Sequence, residues 1–425
     1  MVFRKIHMNL SVMKRFIFLF LAGLLSACSL IAQQKTIPYV ILISFDGFRH
    51  DYVKNFNPPN FKAFISKGSQ AEAMLPSFPS KTFPNHYTIV TGLNPGHHGL
   101  VDNKFYDRKR HQFYGMRDKS VVTDSYYYGG VPLWQLAKQN GVKSASFFWV
   151  GSEMSDERRR PDYYFPFDDK IAPQARIDQA LAWLALPESE RPHLITLYFS
   201  FPDHEGHDFG PNAEETRKAV LKADSLLGNL MKRLQSVPLP VNVVVVSDHG
   251  MYELTVKQDT YIFFDELINK KDTSVIVANG GTQAHLYIFN QKKRDSVYNL
   301  LKSKEKNFTI LRKEDFPERW QYKAARSGDL MILADPGYYI REANWDTYVK
   351  TAKVGSKFGV HGYDPEVVMD MRGIFYAQGP HVKSGLIIPI FQNIHVYPFI
   401  AEILGLPLPP IDGDPKVLKK LRKEK

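Results

Sequence analysis

The chain is 425 residues long, 44% of them apolar, with a formal charge of +11 and one cysteine. That length and composition suit a large α/β domain with a substantial core, and exclude a disordered chain or a small disulfide-stapled module. The charge does not imply a nucleic-acid-binding protein. Arg4, Lys5, Lys14 and Arg15 lie in an N-terminal leader, and Lys416, Lys419, Lys420, Arg422, Lys423 and Lys425 crowd the C-terminal tail. No basic stripe remains in the body to grip a nucleic-acid duplex.

Residues 1–28 read as an export signal. Lys14-Arg15 precedes the apolar run Phe16–Leu25, too short to span a bilayer comfortably. Leu25-Ser26-Ala27-Cys28 has the form of a bacterial lipobox, which makes Cys28 the lipidated first residue of a mature chain. The alternative is plain cleavage after Ala32 and free secretion. The expected location is the periplasm or the outer membrane as an anchored lipoprotein, with membrane contact only through the N-terminal lipid. Residues 29–408 are expected to form one catalytic domain, and 409–425 a basic tail.

The body alternates short apolar runs with helical patterns. Tyr39–Ser44, Leu194–Ser200, Val241–Ser247 and Gly373–Ala377 read as strands buried on both faces of a largely parallel sheet. Ile177–Ala185 and Glu214–Leu234 read as helices. Strand alternating with helix predicts a doubly wound α/β fold with helices on both faces of the sheet. Asp46 follows the first run, Asp203 the second and Asp248 the third. Ligands collect at the carboxyl ends of strands in such sheets, so three carboxylates brought together there predict a bound cation.

Histidines join those acids. Asp203 and His207 are one helical turn apart and can face a single ion. Asp248 and His249 are adjacent ligands at a strand end, able to serve one ion or two. His361 lies between Gly359 and Gly362, where the backbone can bend closely around a site. Three Asp and three His are donors enough for two zinc-type sites. Thr82, in Pro79-Ser80-Lys81-Thr82-Phe83-Pro84, stands where a helix begins. It reads either as an N-cap or as a hydroxyl nucleophile activated by a divalent metal. His50, His97, His98, His111, His285, His381 and His395 lack comparable context and read as surface or core residues.

These motifs resemble, in order and over nearly the whole body, the nucleotide pyrophosphatase/phosphodiesterase (type I phosphodiesterase) family of the alkaline phosphatase superfamily. Ser44–Arg49 resembles its first metal motif, Pro79–Tyr87 its nucleophile segment and Gly99–Asn103 its phosphate-binding loop. Phe201–Pro211, Ser247–Met251 and Gly359–Tyr363 complete the set. The resemblance implies an alkaline-phosphatase-like fold and two Zn2+ ions. One would be held by Asp46, Asp248, His249 and the Thr82 oxygen, the other by Asp203, His207 and His361. It implies that Thr82 takes the phosphoryl group and that water then hydrolyses the phosphothreonine. Asn103 and the Thr82 backbone N–H would donate to phosphate oxygens, and Phe83, Tyr164 and Tyr198 would form the aromatic pocket for a nucleobase. The chain departs from the family at Val150, where proline is common.

The implied substrate is a small nucleotide or phosphodiester. Two relatives in chemistry compete. One is an alkaline phosphomonoesterase, for which Arg158-Arg159-Arg160 could balance the extra charge of a monoester dianion. The other is a lysophospholipid or glycerophosphodiester phosphodiesterase. A non-catalytic surface binder would have no use for an activated threonine beside two metals.

Overall fold

The computed structural model describes residues 37–269 and 272–423. The export signal of residues 1–28, Cys28 included, lies outside the described residues.

Eight strands form the central sheet: β1 (Tyr39–Phe45), β2 (Ser69–Ala71), β3 (Ser144–Phe147), β4 (Tyr163–Phe165), β5 (Leu194–Phe199), β6 (Val241–Val246), β7 (Phe375–Gln378) and β8 (Ile387–Ile388). Their order is β8-β2-β7-β6-β1-β5-β3-β4. Strands β6, β1, β5, β3 and β4 pair in parallel. β7 runs antiparallel to both of its neighbours, β6 and β2. All four runs expected as strands lie in this sheet.

β1 is buried along its whole length because both faces are covered. Tyr39, Ile41, Ile43 and Phe45 enter a core shared with helices 59–67, 173–184 and α3 (Glu214–Leu234). The alternate residues face the other way, where Ser44 meets His86 of α1 (Thr82–Thr91) and helix 396–404 packs on the strand. Helices thus cover both faces, which is why the sequence is continuously apolar there and not alternating.

A second sheet, of strands 275–279, 283–288, 308–312 and 330–334, is antiparallel and has its own apolar core. The sequence does not announce it. Strand 283–288 is fully buried yet contains Gln283 and His285, whose polar side chains break the apolar pattern. Residues 416–423 pack back on 381–383, with Leu418 and Leu421 buried. Among the described residues no helix is long and apolar enough to cross a membrane.

Ile43 is fully buried at the centre of β1. Its truncation to alanine removes apolar contacts from a site hemmed by strands on both sides. Ile43→Ala is expected to lower stability by about 2–5 kcal/mol, read by denaturant unfolding.

Candidate active site

The three central parallel strands end at one edge, and each delivers an acid there. Asp46 follows β1 directly, Asp248 lies just beyond β6, and Asp203 opens α2 (Asp203–Phe209) after β5. Gly47 makes the convergence feasible. Its φ is +67°, and a Cβ there would come within 2.8 Å of Asp203 Cα; its N–H donates to Asp248 Oδ1 at 3.1 Å.

His207 follows Asp203 one turn along α2, as the spacing predicts, with Nε2 3.5 Å from Asp203 Oδ1. His361 comes from a two-stranded ladder, 252–255 against 357–360, that starts beside the Asp248-His249 loop. Its Nε2 lies 3.8 Å from Asp203 Oδ1. Gly359 permits this closeness, since a Cβ there would meet Gly206 O at 2.3 Å. His249 Nε2 is 3.0 Å from Asp248 Oδ2 and 3.6 Å from Asp46 Oδ1. The six acids and histidines singled out in the sequence therefore share one site. Their ligand atoms form overlapping clusters, Asp203–His207–His361 and Asp46–Asp203–His249 among them, within 4.8 Å of one another.

The imidazole orientations say what this cluster is built for. His207 Nδ1 faces Gly359 O, His249 Nδ1 faces Gly250 O and His361 Nδ1 faces Ser80 O, each at 2.8 Å. A carbonyl can only accept, so each Nδ1 carries a proton, and in the neutral ring each Nε2 presents a lone pair. Those lone pairs point at carboxylates, which also only accept. Asp46 Oδ1 and Asp203 Oδ1 are buried with no hydrogen-bond donor, and Asp248 Oδ2 has only the longer, 3.3 Å approach of His86 Nδ1. Lone pair against lone pair in a buried site is unfavourable unless a cation lies between them. The donor set fits a borderline metal such as Zn2+.

Where no metal cation lies between them, protons take its place. Burial and the charges of Asp248 and Asp203 push the Asp46 carboxyl well above its usual range. Burial opposes the Asp248 charge too, but His249 and His86 hold that group well below the ordinary value; burial works against a His249 cation, yet Asp248 in turn raises that imidazole. Burial and the neighbouring His249 and Lys81 keep His361 far below a free imidazole, hence neutral and able to ligate.

Thr82 is the first residue of α1, capped by Lys81 without a side-chain hydrogen bond, so its hydroxyl is not used as a cap. Thr82 Oγ1 lies 3.2 Å from His249 Nε2, at the edge of the cluster. Asn103 Oδ1 accepts from Phe83 N–H at 2.9 Å, which leaves Nδ2 as the end able to donate. The aromatic candidates are less closely assembled. Phe83 and Tyr164 are half-buried; Phe83 meets the edge of Tyr114, and the Arg160 guanidinium lies over Tyr164. The Tyr198 hydroxyl donates to Asp46 Oδ2 at 2.6 Å.

Four residues matter more than the sequence suggested. His86, one turn after Thr82, contacts Thr82 O at 3.0 Å and Asp248 Oδ2 at 3.3 Å through Nδ1, and Ser44 Oγ through Nε2. It clusters with Asp46 and Asp248, yet both ring nitrogens are already engaged, so it orients Asp248. The Lys81 ammonium, pushed down to about 8 by burial, donates to Gly280 O and His361 O. Asp102 accepts from Asn103 N–H at 2.7 Å and from Gln283 Nε2 at 2.6 Å. His285 Nε2 lies 3.1 Å from the same carboxylate, so His285, read from sequence as uninformative, helps fix the Asn103 loop. Only the i, i+4 spacing of Thr82 and His86 could have signalled any of these.

Tyr198→Phe isolates the part played by the Tyr198 hydroxyl. It keeps an aromatic face and deletes the hydrogen bond to Asp46. Affinity for added Zn2+ is expected to fall about 10–100-fold, read by competition with a graded chelator.

Residues 40–364 match the sequence profile described as Type I phosphodiesterase / nucleotide pyrophosphatase. Ectonucleotide pyrophosphatase/phosphodiesterase family member 1 of Homo sapiens is 34% identical over 405 residues, covering 91% of this chain and 42% of that protein. The venom phosphodiesterase CdcPDE of Crotalus durissus collilineatus is 33% identical, over 90% of this chain and 46% of that protein. The chain thus spans somewhat less than half the length of these curated relatives. Human family member 5 is 29% identical, over 93% of this chain and 80% of its own. The structure superposes on murine family member 5, an inactive threonine-to-alanine variant in complex with AMP, with a TM-score of 0.82 at 28% identity; the match covers 91% of this chain and 100% of that one. The chain belongs to the type I phosphodiesterase/nucleotide pyrophosphatase family, within the alkaline phosphatase superfamily.

Proposed function

We propose that this chain is a metal-dependent phosphodiesterase that hydrolyses nucleotide phosphodiester or pyrophosphate bonds to a nucleoside monophosphate, with Thr82 as nucleophile. The observation that carries this is the opposition of imidazole lone pairs and donor-less carboxylates beside the Thr82 hydroxyl. Asp46, Asp248 and His249, with the Thr82 oxygen, would hold one Zn2+, and Asp203, His207 and His361 a second. Two such ions supply charge neutralisation at the phosphate and make the threonine hydroxyl easier to ionise. The names of the relatives and the AMP bound to the murine protein support a nucleotide substrate. That protein's inactive form, altered at a threonine, supports a reacting hydroxyl.

Thr82 Oγ1 would release its proton to solvent and attack phosphorus in line, with the bond to the leaving oxygen breaking, its electron pair departing with it and solvent supplying any proton it takes up. Water then cleaves the phosphothreonine and restores the hydroxyl. The Thr82 N–H is one of the unpaired donors at the start of α1 and can stabilise a developing phosphate anion. The Asn103 Nδ2 adds a second donor. Phe83, Tyr164 and the ring of Tyr198 would supply faces on which a nucleobase stacks. Phe167, 42% exposed and edge-on to Tyr198, joins that set. The ecto-enzyme and venom relatives support export of the chain, with lipidation at Cys28 as the means of retention.

The phosphomonoesterase reading is weakened by the arginine run. Arg158 is paired with Asp156, Arg160 with Glu157, and Arg159 is spent on Gln135 and backbone carbonyls. None is left for a phosphate dianion. The lysophospholipid or glycerophosphodiester reading needs a site for a choline-type cation, and product identification with ATP, a dinucleotide and a lysophospholipid separates it from nucleotide hydrolysis.

Thr82→Ala is expected to abolish diesterase turnover while leaving metal content and thermal unfolding close to the parent; retained turnover would refute the covalent route. Chelation should remove activity and zinc should restore it. Bis-p-nitrophenyl phosphate should be cleaved much faster than p-nitrophenyl phosphate, and the reverse order would favour the monoesterase.

A further inference from the structure

The far end of the central sheet carries a feature that the reaction does not use. Residues 416–423 fold back on 381–383: the Lys383 N–H donates to Leu421 O at 2.7 Å and the Lys423 N–H to His381 O at 3.0 Å. Val382 and Arg422 add an antiparallel bridge. Leu418 and Leu421, 1% and 0% exposed, pin the segment, so its lysines are held on a surface. A cleft of about 700 Å3 lies there, lined by Lys383, Lys416, Lys419, Lys420, Arg422 and Lys423. Glu402, 3.1 Å from Arg422, offsets one charge. The five lysines are exposed, and among the described residues none has a carboxylate within ion-pair distance.

Place and charge point the same way. His381 Nδ1 lies 3.1 Å from Asn242 Nδ2, which donates to Tyr39 O. Tyr39 opens β1 and Asn242 stands near the start of β6. From there the strands run to Asp46 and Asp248, roughly 20 Å away at about 3.3 Å per residue. The chain therefore enters the sheet beside the basic cleft, and the metal-ligand cluster sits at the opposite edge. The cations are spread around an open rim with no buried donor converging on a point, which suits an extended negative surface better than one small anion. Ile387, 64% exposed, lies on the edge strand β8 four residues after Lys383.

We propose that this cleft is a docking surface for anionic phospholipid headgroups, seating the molecule on a membrane with its catalytic edge turned away. The inference is independent of the chemistry at the metal-ligand cluster. The full chain is tested by co-sedimentation with vesicles of phosphatidylcholine alone and of phosphatidylcholine mixed with phosphatidylglycerol. The leader is common to every variant, so its own affinity cancels in the comparison. The parent should prefer the anionic vesicles, with the preference shrinking as salt rises. Changing Lys416, Lys419, Lys420 and Lys423 together to glutamine should cut that preference at least about tenfold, with thermal unfolding unchanged. The same four positions changed to arginine should keep it. A glutamine variant with undiminished preference overturns the proposal. So does release of the parent from vesicles by inorganic phosphate but not by sodium chloride of equal ionic strength, which would make the cleft a site for soluble phosphate.

Discussion

Mutual repulsion among buried carboxylates is the constraint on which the rest of the structure depends. Parallel strands bring Asp46, Asp203 and Asp248 to one edge, where burial strips from Asp46 and Asp248, and in part from Asp203, the water that would otherwise screen them. A fold that pays this cost must recover it by binding positive charge. The surrounding architecture serves that end: backbone carbonyls fix the proton of each histidine on the outward nitrogen, and His86 and Tyr198 hold two of the carboxylates at set angles. A metal bound there would contribute to the stability of the native state as well as to chemistry.

Much of this was legible in the sequence because the signals were local. Unbroken β-branched runs mark strands covered on both sides, and an acid just past each run marks the edge where they end. The i, i+4 spacing of Asp203 and His207 survives directly as one turn of α2. What stayed hidden depends on contacts between distant segments. Asp102, Gln283 and His285 are unremarkable in their own neighbourhoods, and meet only because the antiparallel subdomain folds over the loop that carries Asn103. The subdomain itself was missed because buried polar side chains interrupt the alternation that would have shown a strand.

The aromatic candidates illustrate a different limit. Tyr198 lies in an apolar strand and its ring is largely buried, but its hydroxyl reaches a carboxylate. Periodicity tells which face of a strand a residue occupies. It does not tell whether the polar tip of a tyrosine reaches a partner beyond that face, and this decides whether the residue packs, positions or binds.

Lys81 has a wider implication. Its ammonium ties the residue next to Thr82 to the carbonyls of Gly280 and His361, one at a turn of the antiparallel subdomain and the other in the carboxylate–imidazole cluster. The two carbonyls act as a gauge for the placement of the threonine, so the subdomain cannot drift without shifting the Thr82 hydroxyl. Lengthening of the outer connection at 304–307 should be neutral over evolutionary time, whereas a single residue inserted at 279–282 would move the Thr82 hydroxyl itself.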